Sequence, residues 1–330
     1  MKIAIVKLSA MGDIIHAMVA LQFIKKSNPS IQIDWIVEEG FAKVLEGNPH
    51  IDNILPVNLK AIKKDKKQFF TQIDTVKKYA HNRYDLVIDA QGLLKSAIVA
   101  KLLGKNRAGF SKNSIREGVA SYFYRHKIEI AYDANTIDRN VKVLASPLDL
   151  EVTPQMIIEK DIFLFYKPDD IVEQLSDEKK NIIFIIGSTW ASRNYPKEKF
   201  VEVANALKEN ILIAWGSDAE KEDAQWIASH SQWVKVLPKI NLNALKAIIG
   251  KSDLLIGNDT GPTHMAWGLN VPSITIFGPT PTNRVYETPI NKVITSDSEV
   301  NHFKLNKNDF SIREIASEDI VVMAKELLNA

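Results

Sequence analysis

Cysteine is absent from the 330 residues, which excludes disulfides, thiolate nucleophiles and cysteine metal ligands. No G-x-G-x-x-G fingerprint and no G-x-x-x-x-G-K-[ST] loop occurs, so nicotinamide enzymes and P-loop NTPases are disfavoured. The seven histidines are scattered, without an H-x-x-x-H pair, and no D-x-D is present to suggest zinc or a diphosphate-bound divalent ion. No apolar run approaches the roughly 18 to 20 residues of a membrane span. The N-terminus carries no signal-like segment, and cytoplasm is the expected address. A net charge of +2 gives nucleic acid no global electrostatic attraction.

What is present is a globular composition, 45% hydrophobic and 25% charged, at a length that fits two domains of about 150 residues each. Strand-like runs at 2–6, 31–37 and 85–89 alternate with amphipathic stretches at 14–26 and 69–81. The second half repeats the scheme, with strands expected at 181–186, 211–215, 233–237, 253–256 and 273–277. Such alternation predicts mainly parallel sheets with helices on both faces and ligands beyond the carboxyl ends of the strands. The expected first domain is 1–166, with a short apolar strand from Ile162 and a linker near 166–172. A second domain covers 172–316. A helix over 317–330, capped around Ser317-Glu318-Asp319, is expected to return to the first domain.

Two strand-turn-helix junctions carry the chemistry. Asp259-Thr260-Gly261-Pro262-Thr263-His264 follows the apolar run 254–257 and opens a helix, so its backbone N–H groups and helix dipole suit a phosphate or diphosphate. The other is Ser9-Ala10-Met11-Gly12-Asp13 after the first strand. Asp13 is read either as a helix cap or as a general base. Gly12 permits close approach of a ligand, and His16, three residues further on, is placed to orient the carboxylate or a substrate hydroxyl, or is structural. Ser188, Thr189 and Arg193 offer hydroxyls and a planar cation to a diphosphate, although an Arg before Tyr195-Pro196 also reads as a surface charge. Lys60, Lys63, Lys64, Lys66 and Lys67 fall together ahead of Phe69-Phe70. They are either a solvated helix face or a surface for an anionic acceptor or membrane.

Four segments, 7–16, 34–41, 85–96 and 259–264, together resemble the bacterial lipopolysaccharide heptosyltransferases, glycosyltransferase family 9. The resemblance implies a GT-B fold of two facing Rossmann-like domains and a metal-independent inverting transfer without a cofactor. Its donor would be ADP-heptose, and its acceptor the inner Kdo of Kdo2-lipid A, in lipopolysaccharide inner-core biosynthesis. It implies Asp13 as base and Arg193 at the diphosphate, where many members carry lysine. It further implies Glu220 at the ribose, the backbone near Lys239-Ile240 at adenine, and Asp259, Thr260, Gly261 and His264 at heptose and diphosphate. Lys60, Lys63, Lys64 and Arg116 match basic acceptor positions and, with Ser9, Gly12, His16 and Gln91, make up the expected acceptor site. With base and diphosphate pocket in different domains, closure of a shared cleft is expected. A monomer working peripherally at the cytoplasmic face of the inner membrane is implied. Three alternatives stand beside this reading: a family member acting on an already heptosylated acceptor, a non-catalytic nucleotide-sugar-binding protein, and a GT-B epimerase acting on a nucleotide sugar, which would need acid and base carboxylates around one sugar and no acceptor lysines.

Overall fold

The computed structural model describes residues 1–302 and 304–330; the side chain of Lys63 also lies outside the described residues. The chain divides into two units, Met1–Phe165 and Tyr166–Ala330. The first holds β1 (Lys2–Val6), β2 (Gln32–Glu38), β3 (Asn53–Val57), β4 (Leu86–Asp89), β5 (Arg107–Phe110) and β6 (His126–Ile128). The second holds β7 (Asn181–Ile185), β8 (Asn210–Ala214), β9 (Val234–Val236), β10 (Leu254–Asn258), β11 (Ser273–Phe277) and β12 (Asn291–Thr295). The sheets run β3-β2-β1-β4-β5-β6 and β12-β11-β10-β7-β8-β9, with every pairing parallel. Each unit thus has the doubly wound Rossmann order, with a switch point between β1 and β4 in one and between β7 and β10 in the other.

Burial on both faces explains why the central strands read as continuous apolar runs: Ile3 to Val6 and Ile182 to Ile185 are all buried. Four strands escape such a reading. Three of them, β3, β6 and β12, are partly exposed sheet edges with one neighbour, β6 spanning only three residues, and β3 even contains Pro56, which an edge tolerates. The fourth, β5, carries Gly109, where a Cβ would lie 2.5 Å from the Tyr124 ring.

Other expectations are corrected. The single helix expected after β1 is two, Met11–Met18 and Ala20–Ser27, meeting at Val19. Phe163 and Leu164 are buried but join no ladder; the Phe163 carbonyl instead accepts from Asn48 Nδ2 at 3.0 Å. The C-terminal helix, Ser317–Asn329, packs on the core of the second unit. Its stripe Ile320, Ala324 and Leu327, spaced i, i+4, i+7, joins the core formed with Phe200, Val203 and Ala204 of helix Lys197–Leu207. Ser317 is the first helical residue rather than the cap, and its hydroxyl donates to Glu202 Oε2 at 2.6 Å.

Removing apolar volume from that stripe is expected to unfold the second unit early. Ile320→Ala should cost about 2–5 kcal/mol in urea denaturation followed by tryptophan fluorescence. An unchanged midpoint would mean that the stripe is not part of this core.

Candidate active site

In the first unit, every sequence-predicted acceptor residue leaves the carboxyl end of a strand. Ser9 to His16 follow β1, Lys60 and Lys64 follow β3, Gln91 follows β4, and Arg116 follows β5. The β1 and β4 loops are tied to each other. Gln91 Oε1 accepts from the Leu8 and Ser9 N–H groups, both at 3.0 Å, which fixes the approach to Asp13 from across the switch point. Asp13 is half-buried, and its Oδ2 accepts from the Ala10 N–H at 3.2 Å, a back-bond that closes the helix start. The cap does not use the whole carboxylate: Oδ2 holds the turn, and Oδ1 is not committed to it. His16 is buried one turn further along. Lys60 stands at the start of helix Ala61–Lys64 with its Nζ 4.7 Å from the Phe41 ring centroid, and Lys64 and Arg116 are exposed.

Beneath this loop lie charges that sequence reasoning did not assign. Lys7 is buried and donates to the Ala90 carbonyl and to Asn140 Oδ1, each at 2.9 Å, drawing helix Thr136–Ala145 under the switch point. Its pKa is lowered by burial, against the opposing pull of Asp13 and Asp89. Asp89 is fully buried; its Oδ1 accepts from the N–H groups of Gln91 and Gly92 at 2.9 and 3.1 Å, and its Oδ2 from the Tyr124 hydroxyl at 2.7 Å. Burial raises its pKa, and these hydrogen bonds work against the rise. Gly92 makes the turn possible: its φ is +69°, and a Cβ would meet Ile115 Cγ2 at 2.7 Å. Glu38, at the end of β2, is buried with its Oε1 unpartnered, and burial raises its pKa over the lowering effect of Lys95 and Lys60.

In the second unit, Asp259 is the hub. Its Oδ2 accepts from Arg193 at 2.7 Å and from the Thr280 hydroxyl at 3.0 Å, its Oδ1 lies 3.1 Å from His264 Nε2, and its backbone carbonyl also receives Arg193. Burial pushes the Asp259 pKa up, but the His264 hydrogen bond and the Arg193 and Arg284 charges outweigh it and hold the carboxyl well below the usual range. Asn258 joins the two loops of the switch point, accepting from the Tyr195 N–H at 3.0 Å and donating to the Ile186 carbonyl at 2.6 Å. Arg193 is thereby set against helix Gly261–Gly268, whose first residues Thr260 and Gly261 are partly exposed. The helix start and the guanidinium make an anion-receiving corner.

The other predicted donor residues are placed less uniformly. Ser188 turns its hydroxyl onto the Trp190 carbonyl at 3.0 Å, and Thr189 is exposed. Glu220 closes a capping box with Ser217, its Oε2 accepting from the Gly216 N–H at 2.5 Å, and its carboxyl presses on the Cα of Gly187, where no Cβ would fit. Lys239 Nζ donates to the Gly216 carbonyl, bringing the turn that holds half-buried Ile240 against the Glu220 turn. Thr280 and Arg284 were missed as site residues. Thr280 lies in the Gly278-Pro279-Thr280 turn that follows β11, a strand end of the kind that carries chemistry, whereas nothing in the spacing of Arg284 points to Asp259. Among the described residues, no group of three or more His, Cys, Asp or Glu side chains is gathered to hold a metal ion.

A carboxylate at one doubly wound switch point and an anion corner at a second are the parts of a two-domain α/β glycosyltransferase. The family description "Glycosyltransferase family 9 (heptosyltransferase)" matches residues 74–310, and the chain belongs to that family; its activity is glycosyl transfer of the heptosyltransferase type. It is similar to lipopolysaccharide heptosyltransferase 1 of Campylobacter coli, at 39% identity over 99% of both chains. It is 32% identical to that of Escherichia coli K12 over 85% of this chain and 88% of the relative. A solved structure of E. coli heptosyltransferase WaaC with ADP-2-deoxy-2-fluoro heptose matches with a TM-score of 0.81 at 25% identity, covering 100% of both chains.

The Asp259 pair makes a pH-dependent contribution to stability. Because its folded pKa is depressed, the stabilisation is complete above the unfolded value of about 3.9 and is lost as pH falls through the folded pKa. Asp259→Asn, which leaves Arg193 without its countercharge, should cost about 3–5 kcal/mol near neutrality. In urea titrations that gap between wild type and variant should narrow as the pH is taken below about 4. A gap independent of pH would show that the carboxylate charge is not what stabilises the loop.

Proposed function

We propose that this chain transfers L-glycero-D-manno-heptose from ADP-heptose to the inner Kdo of Kdo2-lipid A, as heptosyltransferase I does. The single observation that carries the reading is the pairing of chemistries at equivalent points of two like units. One switch point holds a half-buried carboxylate with a spare oxygen, and the other a helix N-terminus beside a clamped guanidinium. Similarity along the whole chain to the named heptosyltransferases, one of them solved with an ADP-sugar, supports the donor assignment.

Glycosyl transfer with inversion passes through an oxocarbenium-like state. The incoming hydroxyl must lose its proton on one face of the sugar while the diphosphate gains charge on the other. In this reading Asp13 takes the proton from the Kdo hydroxyl. Arg193 and the amides at Thr260-Gly261 receive the leaving diphosphate without a metal. Asp259 has both oxygens engaged within its loop, so its part is to hold Arg193 and His264 in place. Glu220 and the Lys239-Ile240 turn would meet the adenosine, and Lys60, Lys63, Lys64 and Arg116 the anionic groups of the acceptor.

The direct test offers the purified protein ADP-heptose with Kdo2-lipid A and, in parallel, with heptosylated Kdo2-lipid A. Product from the first alone supports the proposal, product from the second alone replaces the acceptor, and binding without turnover replaces the catalysis. Asp13→Ala should lower transfer by about 10²–10⁴-fold with little change in ADP-heptose affinity by calorimetry. A large loss of donor binding with measurable transfer would remove Asp13 as base. Arg193→Ala should weaken both donor binding and turnover, and Arg193→Lys should recover only part of each, because it restores the charge but not the planar fork. Replacing Lys60, Lys63 and Lys64 together by Ala should raise the acceptor KM and spare donor affinity; an unchanged KM would make that run a solvated surface.

A further inference from the structure

Twelve large apolar side chains are exposed among the described residues, and six of them stand on three segments of the first unit: Phe69, Phe70, Leu94, Ile98, Val119 and Tyr122. The segments adjoin. Leu94, Ile98 and Lys101 lie at i, i+4 and i+7, one outer stripe of helix Leu94–Leu103. The 3₁₀ segment Gly118–Phe123 runs beside that stripe and is pinned at both ends. Glu117 Oε2 accepts the Leu94 N–H at 2.7 Å, and Lys101 Nζ sits 5.5 Å from the Phe123 ring centroid. Val119 and Tyr122, 61% and 71% exposed, therefore flank Leu94 and Ile98. Helix Gln68–Ala80 packs against helix Leu94–Leu103 and begins with Phe69 and Phe70, whose rings meet edge-on at 5.6 Å.

The fold leaves these six side chains between 41% and 71% exposed on adjoining segments, and clustered exposed apolar groups of this kind mark interaction surfaces. Its rim is basic. Lys66 and Lys67 precede the phenylalanines, Lys95 and Lys101 share the 94–103 helix, and Lys127 Nζ stands 5.9 Å from the Tyr122 ring centroid. Of the acids close by, Glu117 and Asp65 are engaged with the backbone N–H groups of Leu94 and Lys67. A second copy of the chain would bring one basic rim against another. A surface of anionic headgroups would instead accept the rings and aliphatic side chains between its acyl chains while the lysines meet the phosphates. All three segments follow the carboxyl ends of β3, β4 and β5, the same edge of the sheet from which Asp13 emerges after β1.

We propose that this face is a docking surface for an anionic lipid bilayer, seating the first unit with its Asp13 edge toward the membrane. The surface rests on the reading of a lipid-borne acceptor for its purpose, and its test needs neither donor nor acceptor. The full chain should co-sediment with vesicles of phosphatidylcholine and phosphatidylglycerol and much less with phosphatidylcholine alone. The combined Ile98→Ser, Val119→Ser, Tyr122→Ser variant should lower the vesicle partition coefficient about tenfold or more. Lys101→Glu with Lys127→Glu should remove most of the preference for anionic vesicles. All five positions are surface positions outside the proposed machinery, so circular dichroism melts and transfer to an acceptor stripped of its acyl chains should be unchanged. Equal binding to both vesicle types, or full partition by the serine variant, overturns the proposal. So does a wild-type dimer in sedimentation velocity that the serine variant disperses, since that makes a second copy the occupant. If the wild type partitions as expected yet transfers nothing to either acceptor, the acceptor reading falls and the lipid surface stands.

Discussion

Winding in opposite directions from one central strand is the constraint on which each unit depends. From β1 the chain builds outward to β2 and β3, then returns to place β4 on the other side. The loops after β1 and β4 therefore part company at the carboxyl edge and leave a gap no backbone crosses. Side chains must bridge it. Gln91 does so in the first unit, reaching from the β4 loop to the Leu8 and Ser9 amides, and Asn258 does so in the second, reaching from the end of β10 to the segment after β7. The same topology solved twice leaves two bridged gaps, and the residues beside each bridge decide what it can bind.

The two gaps are electrostatically unlike. In the second unit a carboxylate is buried and satisfied from three sides, so Asp259 stays ionised at a cost in desolvation that Arg193, His264 and Thr280 offset. A group so held is rigid, which suits presentation of a fixed cation and fixed amides to a charge that develops during reaction. In the first unit the buried charges, Lys7 and Asp89, lie below the surface and fasten loops and a helix, while Asp13 above them is only half-buried and keeps one oxygen free of the turn. An acceptor of protons needs that freedom; a clamp does not.

Much of this was legible because a buried parallel strand writes an apolar run, and a strand end writes glycine, serine, threonine and aspartate. Seven of the eight strands read from sequence are interior strands of their sheets; the eighth, the edge strand β9, still carries Val234 and Val236 about Lys235, and the Asp13 and Asp259 junctions stood out by their place between run and helix. Edge strands β3, β6 and β12 were hidden because a strand with one neighbour can be short, polar or interrupted by Pro56. The docking of the C-terminal helix was hidden for another reason. The spacing of Ile320, Ala324 and Leu327 announces an apolar stripe but not its partner, which is set by the groove that helix Lys197–Leu207 leaves over the second sheet. Arg284 was invisible because it acts on Asp259 through space and belongs to no junction; Glu38 is legible as a strand-end residue after β2, but its unpartnered buried oxygen is a property of surroundings, not of sequence.

Arg193 keeps hydrogen-bonding capacity beyond its pairing with Asp259. A lysine offers a single nitrogen, which would have to be shared between Asp259 and a diphosphate. The guanidinium commits one terminal nitrogen to the Asp259 carbonyl and carboxylate, while its Nε, buried and unpartnered, still carries a proton to give. An unsatisfied buried donor costs stability, of the order of 1–3 kcal/mol, and that cost disappears when an anion arrives to accept it. The clamp fixes the plane of the guanidinium, and on the proposed reading an anion accepting the Nε proton would leave the pairing with Asp259 undisturbed.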